Sequence, residues 1–274
     1  MFYTDDFMYD VMGIEELPNT LYHYTSIETL ALILSNRTLR FSRLDGVNDP
    51  EEATASDLPN ASTLVFASCW TAQQRESLPM WSMYTKDLAG VRISLPSNPF
   101  SGRDMRTVFE KGGARQIIDG RVTVTRERGG MDAHTSMIFG PNKIYYTDEP
   151  SYRNGSCLVN DGFSLAVQLH DLGMVKNTHW AFEEEWRFKI LAAPSEIDVR
   201  ETSPASHPAY DLINFPVREN AVFAPLDAEC LKAVEIMLGP CVSREQEAEV
   251  QMLIAAHAPS ATVRRSAINV RGKS

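Results

Sequence analysis

The alternation of hydrophobic and polar positions first predicts a strand and a helix near the start of the chain. A short β-rich run covers 21–24, and Thr25-x-x-Glu28 has the spacing of a capping box. Apolar side chains then recur at intervals of three and four residues, which predicts an amphipathic helix over 26–35. Asn36 suits the left-handed position that ends such a helix.

Further apolar runs and alternating segments predict a chain that mixes strands and helices. Strands are predicted at 39–42, 64–70, 91–95, 120–126, 143–146, 233–238 and 262–265. Helices are predicted at 78–86, 160–172 and from a second capping box at 243 to about 257. Without an internal repeat or a linker, this pattern predicts a single α+β domain over 20–274 that follows an N-terminal extension, 1–19.

Apolar and charged positions alternate most clearly in the segment 182–191. Its apolar positions share one face of a predicted strand, and the other face carries charge: Glu183, Glu185, Arg187 and Lys189. Such alternation is typical of a half-buried strand whose charged side faces water. We therefore expect these carboxylates to be exposed and to add little to stability.

Composition narrows the functional classes. The 274 residues include 26 Lys or Arg and 36 Asp or Glu, which gives a net charge of −10. Sequence-independent nucleic-acid binding is not expected, because it needs a basic face. No apolar run reaches the roughly 18 residues of a membrane helix, so no membrane partner is expected. The acidic N-terminus lacks the pattern of a secretory signal, and the four cysteines lie far apart, which together predict a cytoplasmic protein with free thiols.

Few residues have a pattern that indicates chemistry. The sequence has no phosphate-binding loop, dinucleotide fingerprint or nucleophile elbow, and its six histidines are dispersed, so no metal site is expected. His23 precedes the first predicted helix, and Glu183 and Glu185 lie beside Arg187. A lone histidine is more often structural, and an acidic run is more often a solvated face. A carboxylate fixed on a strand can, however, stabilise positive charge in a transition state.

Five short motifs occur in one order and resemble the bacterial and phage family called domain of unknown function 2971. They are Leu21-Tyr22-His23-Tyr24-Thr25, Leu39-Arg40-Phe41-Ser42, Asn48-Asp49-Pro50-Glu51, Met80-Trp81-x-x-Tyr84 and Glu183-x-Glu185-Trp186-Arg187. The resemblance covers roughly residues 20–270. The family name implies no activity.

The first of these motifs, with the helix and strand after it, also looks like the start of ADP-ribosyltransferases that have a His-Tyr-Glu triad. This resemblance implies split mixed and antiparallel sheets with short flanking helices, and NAD as the substrate without a metal. His23 would hold a ribose hydroxyl and Tyr84 would stack on the nicotinamide. Glu185 or Glu183 would face the nicotinamide ribose.

The same resemblance makes neighbouring motif residues candidates for binding. For the cofactor these are His23, Tyr24, Thr25, Arg40, Ser42, Trp81 and Tyr84. For the acceptor they are Asn48, Asp49 and Arg187. Arg40 could meet the pyrophosphate, although an outward-facing strand arginine is an equally good interpretation.

The resulting hypothesis is an NAD-dependent ADP-ribosyltransferase-like enzyme that modifies a protein or nucleic acid, with phage–host conflict as one setting. A second hypothesis replaces the acceptor by water and makes the protein an NAD glycohydrolase. A third is a catalytically silent nucleotide-binding or protein-interaction module, in which the charged strand is structural. Turnover of NAD separates the first two hypotheses from the third.

Overall fold

The computed structural model describes residues 5–100, 104–107, 116–119, 138–160, 165–192, 217 and 219–271. The helices are α1 (Asp5–Asp10), α2 (Ile27–Asn36), α3 (Leu78–Tyr84), α4 (Pro150–Arg153), α5 (Ala228–Lys232) and α6 (Arg244–His257). The strands are β1 (Thr20–Thr25), β2 (Thr38–Arg43), β3 (Val65–Thr71), β4 (Val91–Pro96), β5 (Asp104–Thr107), β6 (Gln116–Asp119), β7 (Phe139–Lys143), β8 (Tyr145–Tyr146), β9 (Leu158–Asn160), β10 (Leu165–Val167), β11 (Val175–Lys176), β12 (Glu185–Leu191), β13 (Ala221–Pro225), β14 (Glu235–Leu238) and β15 (Thr262–Arg265). Short 3₁₀ helices cover Leu44–Gly46, Ala61–Leu64, Lys86–Leu88 and Thr178–Glu183.

These elements form a single α+β domain, as the sequence predicts. Within the described residues, nine strands form one open mixed sheet in the order β13-β2-β3-β1-β4-β14-β15, and β12 and β7 continue it from β3. Its strand pairs are antiparallel apart from β14 and β15. Helices α2 and α6 pack together over the main hydrophobic core.

The sheet divides at β3. One edge of β3 pairs with β12 along its whole length, from Val65 to Thr71. The other edge is shared, because β2 pairs at Phe66 and Ala67 whereas β1 pairs at Thr71. Neither β1 nor β2 pairs with positions 68–70 in the described chain. A gap therefore opens between β1 and β2, and α2 connects the two strands.

The cap of α2 lies one residue later than predicted. Ser26, not Thr25, is the N-cap, and its hydroxyl accepts a hydrogen bond from the Thr29 amide at 3.1 Å. Thr25 is instead the last residue of β1 and pairs with Val91. The left-handed position is likewise Arg37, with φ 53°, rather than Asn36. The helix itself buries the four predicted apolar positions: Ile27, Leu30, Ile33 and Leu34.

Several other predicted elements can be compared with the structure. Those at 64–70, 78–86, 91–95, 233–238 and 262–265 are confirmed as β3, α3, β4, β14 and β15, and the capping box of Ser243 and Gln246 begins α6. The helix predicted at 160–172 is wrong, because β9 and β10 pair there as antiparallel strands. The β-branched side chains of Val159 and Val167 favour strands over the weak helical period. Residues 161–164 and the strand predicted at 120–126 lie outside the described residues.

The predicted N-terminal extension contributes a helix to the fold. Met8 of α1 is buried against Ile144 and Met174, in a small cluster apart from the main core. None of the helices in the described part of the chain is long and apolar enough to cross a membrane.

Gly90 allows a close contact that places α3 against β1 and β4. A Cβ atom at Gly90 would overlap the backbone oxygen of Thr25 and the side chain of Thr85, which follows α3. We therefore expect Gly90→Ala to lower the free energy of unfolding by about 1–3 kcal/mol, as overpacking does. Gly46→Ala is the matched control, since nothing lies within 4 Å of its added Cβ. Urea unfolding measures both, and equal stability of the two variants would contradict the expectation.

Candidate active site

A cavity of about 370 Å³ lies where the sheet divides. The strands β1, β2 and β3 form its walls, α3 contributes Met80, Met83 and Tyr84, and charged side chains form its floor. Nine residues predicted from the sequence line this cavity: His23, Tyr24, Arg40, Ser42, Asn48, Tyr84, Glu183, Glu185 and Arg187. The division of the sheet thus brings together residues that are up to about 160 positions apart in the sequence, from Tyr22 to Arg187.

Three predicted site residues do not line the cavity. Thr25 is buried in the ladder between β1 and β4. Asp49 is buried and its carboxylate accepts a hydrogen bond from the Glu51 amide at 3.0 Å, which closes a turn. Trp81 is fully buried beneath Tyr24, with 4.8 Å between ring centroids. Trp81 and Thr25 therefore support the cavity wall from behind.

His23 lies in the gap between β1 and β2. Its Nδ1 is 2.9 Å from the carbonyl oxygen of Cys69, a group that β1 and β2 leave unpaired in the gap. Because a carbonyl only accepts, Nδ1 carries the hydrogen. Burial lowers the pKa of His23, so the ring is neutral and its Nε2 is a hydrogen-bond acceptor. The ring also packs against Trp70, 5.1 Å away between centroids.

Tyr84 is placed by the capping of α3. The Ser77 side chain accepts from the Met80 amide, and the Ser77 amide donates to the Tyr24 hydroxyl at 3.2 Å. These bonds fix the first turn of α3 to β1. Tyr84, in the last turn, then donates its hydroxyl to a carboxylate oxygen of Glu183. Burial raises the pKa of Tyr84, so the phenol remains a donor.

The predicted exposure of the two glutamates is wrong. Glu183 and Glu185 each expose only 3% of their surface. Glu183 ends a 3₁₀ helix, Glu184 has φ 44°, and β12 begins only at Glu185. The face of β12 that carries charge is covered by other segments, because Arg187 donates to the Gly173 carbonyl at 2.6 Å and forms an ion pair with Glu52. It is therefore an interior surface.

The floor of the cavity is a buried ion cluster of five side chains: Glu52, Lys176, Glu183, Glu185 and Arg187. The ammonium of Lys176 lies 2.7 Å from Glu183, 3.1 Å from Glu185 and 3.8 Å from Glu52. The guanidinium of Arg187 contacts Glu185 through Nε at 2.8 Å and through Nη2 at 2.6 Å. The cluster therefore joins three carboxylates through two cations.

The two neighbouring glutamates differ in their affinity for a proton. Burial by itself would raise the pKa of Glu185, but the charges of Arg187 and Lys176 outweigh burial and lower the pKa to about 2. Burial and the negative charge of Glu185 instead raise the pKa of Glu183. Glu185 is therefore ionised throughout the physiological range, whereas Glu183 takes up a proton more readily.

Two members of the cluster were not predicted. Glu52 directly follows the Asn48-Asp49-Pro50-Glu51 motif. Ala53 after it has φ 56°, a left-handed conformation that no turn residue in the sequence predicts. Burial raises the pKa of Glu52. Lys176 comes from β11, which pairs in parallel with β8, and no motif surrounds it. Within the described residues, no group of three or more histidine, cysteine or acidic side chains could hold a metal ion.

Of the two cations in the buried cluster, Arg187 is the one whose removal should lower the free energy of unfolding more. In Arg187→Met, three buried carboxylates face Lys176 alone, so we expect a loss of about 3–5 kcal/mol near neutral pH. The pKa values of the remaining carboxyls would rise above their unfolded values, so the loss should shrink as the pH falls towards about 5. Urea unfolding at about pH 5 and about pH 8 measures this difference.

Arg264→Met is the matched control for this substitution. Arg264 forms an ion pair at 2.6 Å with Glu235, and the two side chains are 47% and 37% exposed. Its removal should change the free energy of unfolding by less than about 1 kcal/mol at either pH. Equal losses in Arg187→Met and Arg264→Met would show that the buried cluster does not contribute as argued.

Comparison with known proteins gives one match. Residues 80–188 match the model of a family described as Protein of unknown function (DUF2971), which supports the resemblance drawn from the motifs. The matched part begins in α3 and ends in β12, so it contains Tyr84, Lys176, Glu183 and Glu185. No curated protein and no solved structure matches the chain.

Proposed function

We propose that this protein is an ADP-ribosyltransferase-like enzyme that consumes NAD and transfers ADP-ribose to a protein or nucleic acid. The observation that supports the proposal most is the convergence of His23, Tyr84, Glu183 and Glu185 on one cavity. These residues come from three separate regions of the sequence. Their chemical types are those needed to hold a ribose, to stack a nicotinamide and to stabilise a cation.

His23 and Tyr84 would position the substrate. The neutral His23 ring offers Nε2 as an acceptor for a ribose hydroxyl, because its Nδ1 is already bonded to Cys69. The ring of Tyr84 lines the cavity and gives the nicotinamide an aromatic surface. Arg40 lies exposed at the rim, where its guanidinium could meet the pyrophosphate. Asn48, also at the rim, would face the acceptor.

Glu185 would stabilise the transition state. When the bond between nicotinamide and ribose breaks, positive charge develops on the ribose ring, as in glycoside hydrolysis. A carboxylate that is already ionised and fixed by Arg187 and Lys176 stabilises this charge without reorganising. Glu183, whose pKa is raised, is better suited to accept a proton from the attacking group of the acceptor.

The acceptor and the biological setting rest on the resemblance alone. The motifs resemble a bacterial and phage family, and this resemblance suggests phage–host conflict. A protein or nucleic-acid acceptor distinguishes the proposal from simple hydrolysis of NAD.

Three variants test the roles of consecutive glutamates. Glu185→Gln should reduce release of nicotinamide from NAD by about 10²–10³-fold, because it removes the charge that stabilises the transition state. Glu183→Gln should weaken transfer of ADP-ribose more than hydrolysis. Glu184→Gln is the matched control with near-normal activity, since Glu184 is exposed and lies outside the cavity wall, and a glutamine keeps the oxygen that accepts from Gln73. Circular dichroism should confirm that each variant is folded.

The assay follows nicotinamide release and, in parallel, label from NAD on macromolecules of a cell extract. Label on protein or nucleic acid supports transfer. Nicotinamide release without such label would identify an NAD glycohydrolase instead. No turnover of NAD, or full activity of both Glu185→Gln and Glu183→Gln, would contradict the enzymatic proposal.

A further inference from the structure

The buried ion cluster carries one more acidic than basic side chain. Glu52, Glu183 and Glu185 face Lys176 and Arg187, and all five are at least 95% buried. A net charge is costly where water is scarce. The cluster without a ligand is therefore most stable when one carboxyl holds a proton, which makes the whole group neutral.

The contacts indicate which carboxyl holds this proton. Glu52 forms an ion pair with Arg187, a side chain that is always charged, and this attraction opposes the effect of burial on its pKa. Among the side chains that the structure describes, Glu183 bonds to Lys176 and to the neutral phenol of Tyr84, and the charge of Glu185 adds to the effect of burial. Glu183 is therefore the carboxyl that binds the proton best.

Other ionisable groups near the cluster do not take this role. The pKa values of Cys69 and Tyr146 are raised by burial, so both stay neutral, and His23 is neutral because burial lowers its pKa. Lys189 follows Arg187 on the same face of β12, but its ammonium donates to the carbonyls of His170 and Leu172 and does not line the cavity. Burial and the charge of Arg187 lower the pKa of Lys189 to about 7.

Two further cations lie behind the cavity walls. Lys143 is over the ring of Trp186, on the face of β12 opposite to Glu185. The guanidinium of Arg92 stacks on Tyr22 at 4.4 Å from the ring centroid and donates to the Gln74 carbonyl at 3.0 Å. Neither side chain lines the cavity. The charge that a ligand meets at the floor is therefore that of the cluster.

The walls above the floor suit a flat, weakly hydrated group. The aromatic residues Tyr22 and Tyr84 line the cavity, and Val47, Met80 and Met83 add apolar surface. Aromatic faces attract cations, and an apolar wall favours an organic cation over a strongly hydrated metal ion.

We propose that the cavity selects a flat organic group with a single positive charge, and that binding of this group expels the proton held by the cluster. The proposal deepens the proposed function and rests on it for the identity of the group, the pyridinium ring of oxidised NAD. With the ligand bound, all three carboxylates are ionised and the floor is neutral as a whole. Glu183 is then free to accept a proton from the acceptor.

A pair of probes of equal shape and different charge tests the selection. Nicotinamide methylated on its ring nitrogen is a cation, and nicotinamide is neutral. In calorimetric titrations of the full chain, the cation should bind at least about tenfold more tightly. Its affinity should rise with pH by up to about tenfold per unit, until the pH passes the pKa of Glu183. Titrations in two buffers of different ionisation enthalpy should show release of up to one proton per ligand.

Glu183→Gln and Glu184→Gln complete the test. Glu183→Gln makes the cluster neutral without a proton, so the preference for the cation and the proton release should both disappear. Glu184→Gln should retain both. Failure of the cation to bind, equal affinity for the two probes or absence of proton release in the natural protein would overturn the proposal, whatever the folding of the variants.

The binding test of this proposal and the turnover test of the proposed function can fail independently of each other. Selective binding of the cation without turnover of NAD would support the charge-selective site and contradict the enzyme. Turnover of NAD with equal binding of the two probes would support the enzyme and overturn the charge-selective site.

Discussion

The cavity depends on how one edge of β3 is divided. A strand edge normally pairs with one neighbour. Here β2 pairs with Phe66 and Ala67 of β3, whereas β1 pairs with Thr71 at its end. The carbonyl of Cys69 is left in the gap, and a buried carbonyl without a partner costs about 1–3 kcal/mol. The ring of His23 donates a hydrogen bond to this carbonyl, so the histidine belongs both to the fold and to the cavity. The other edge of β3 pairs fully with β12, which holds the floor rigidly against this gap.

The ion cluster at the floor of the cavity is not the arrangement expected if these residues served stability alone. Buried ion pairs are often no better for stability than apolar side chains of similar size, because desolvation offsets their attraction. Positions 185, 187 and 189 of β12 could carry apolar residues and join a second core. They carry Glu, Arg and Lys instead, and Glu52 from the loop after β2 and Lys176 from β11 complete the cluster. Buried charges beside a cavity are typical of functional sites, and this arrangement supports the function proposed above.

The sequence predicts well what depends on local pattern. β3, β4 and α6 follow from apolar runs and from the capping box at Ser243, and the order of motifs identifies Tyr84 and the two glutamates. Alternation shows which side chains share a face from Glu185 onwards, but it shows neither that β12 begins only there nor whether the charged face meets water or another segment. Glu52 and Lys176 could not be assigned, because their positions depend on turns and pairings far from β12. The shift from Thr25 to Ser26 at the cap of α2 has the same origin, since pairing with Val91 decides it.

The backbone at Glu184 explains why the neighbouring glutamates differ. Had β12 extended to residue 183, the two carboxylates would share one face about 7 Å apart along the strand. Glu184 instead adopts φ 44°, a left-handed conformation that costs a non-glycine residue of order 1 kcal/mol or more. Hydrogen bonds hold it there, from the Thr71 hydroxyl at 3.3 Å to its carbonyl and from the Gln73 amide at 2.9 Å to its carboxylate.

This turn brings Glu183 back to the ammonium that already contacts Glu185. One lysine then bridges two carboxylates, but only Glu185 also meets Arg187, while Glu183 meets the phenol of Tyr84. A pair of carboxyls whose pKa values are driven apart by their surroundings is the arrangement that lets one stay charged while the other exchanges a proton. The left-handed backbone at Glu184 therefore gives the two glutamates different surroundings, and with them different pKa values.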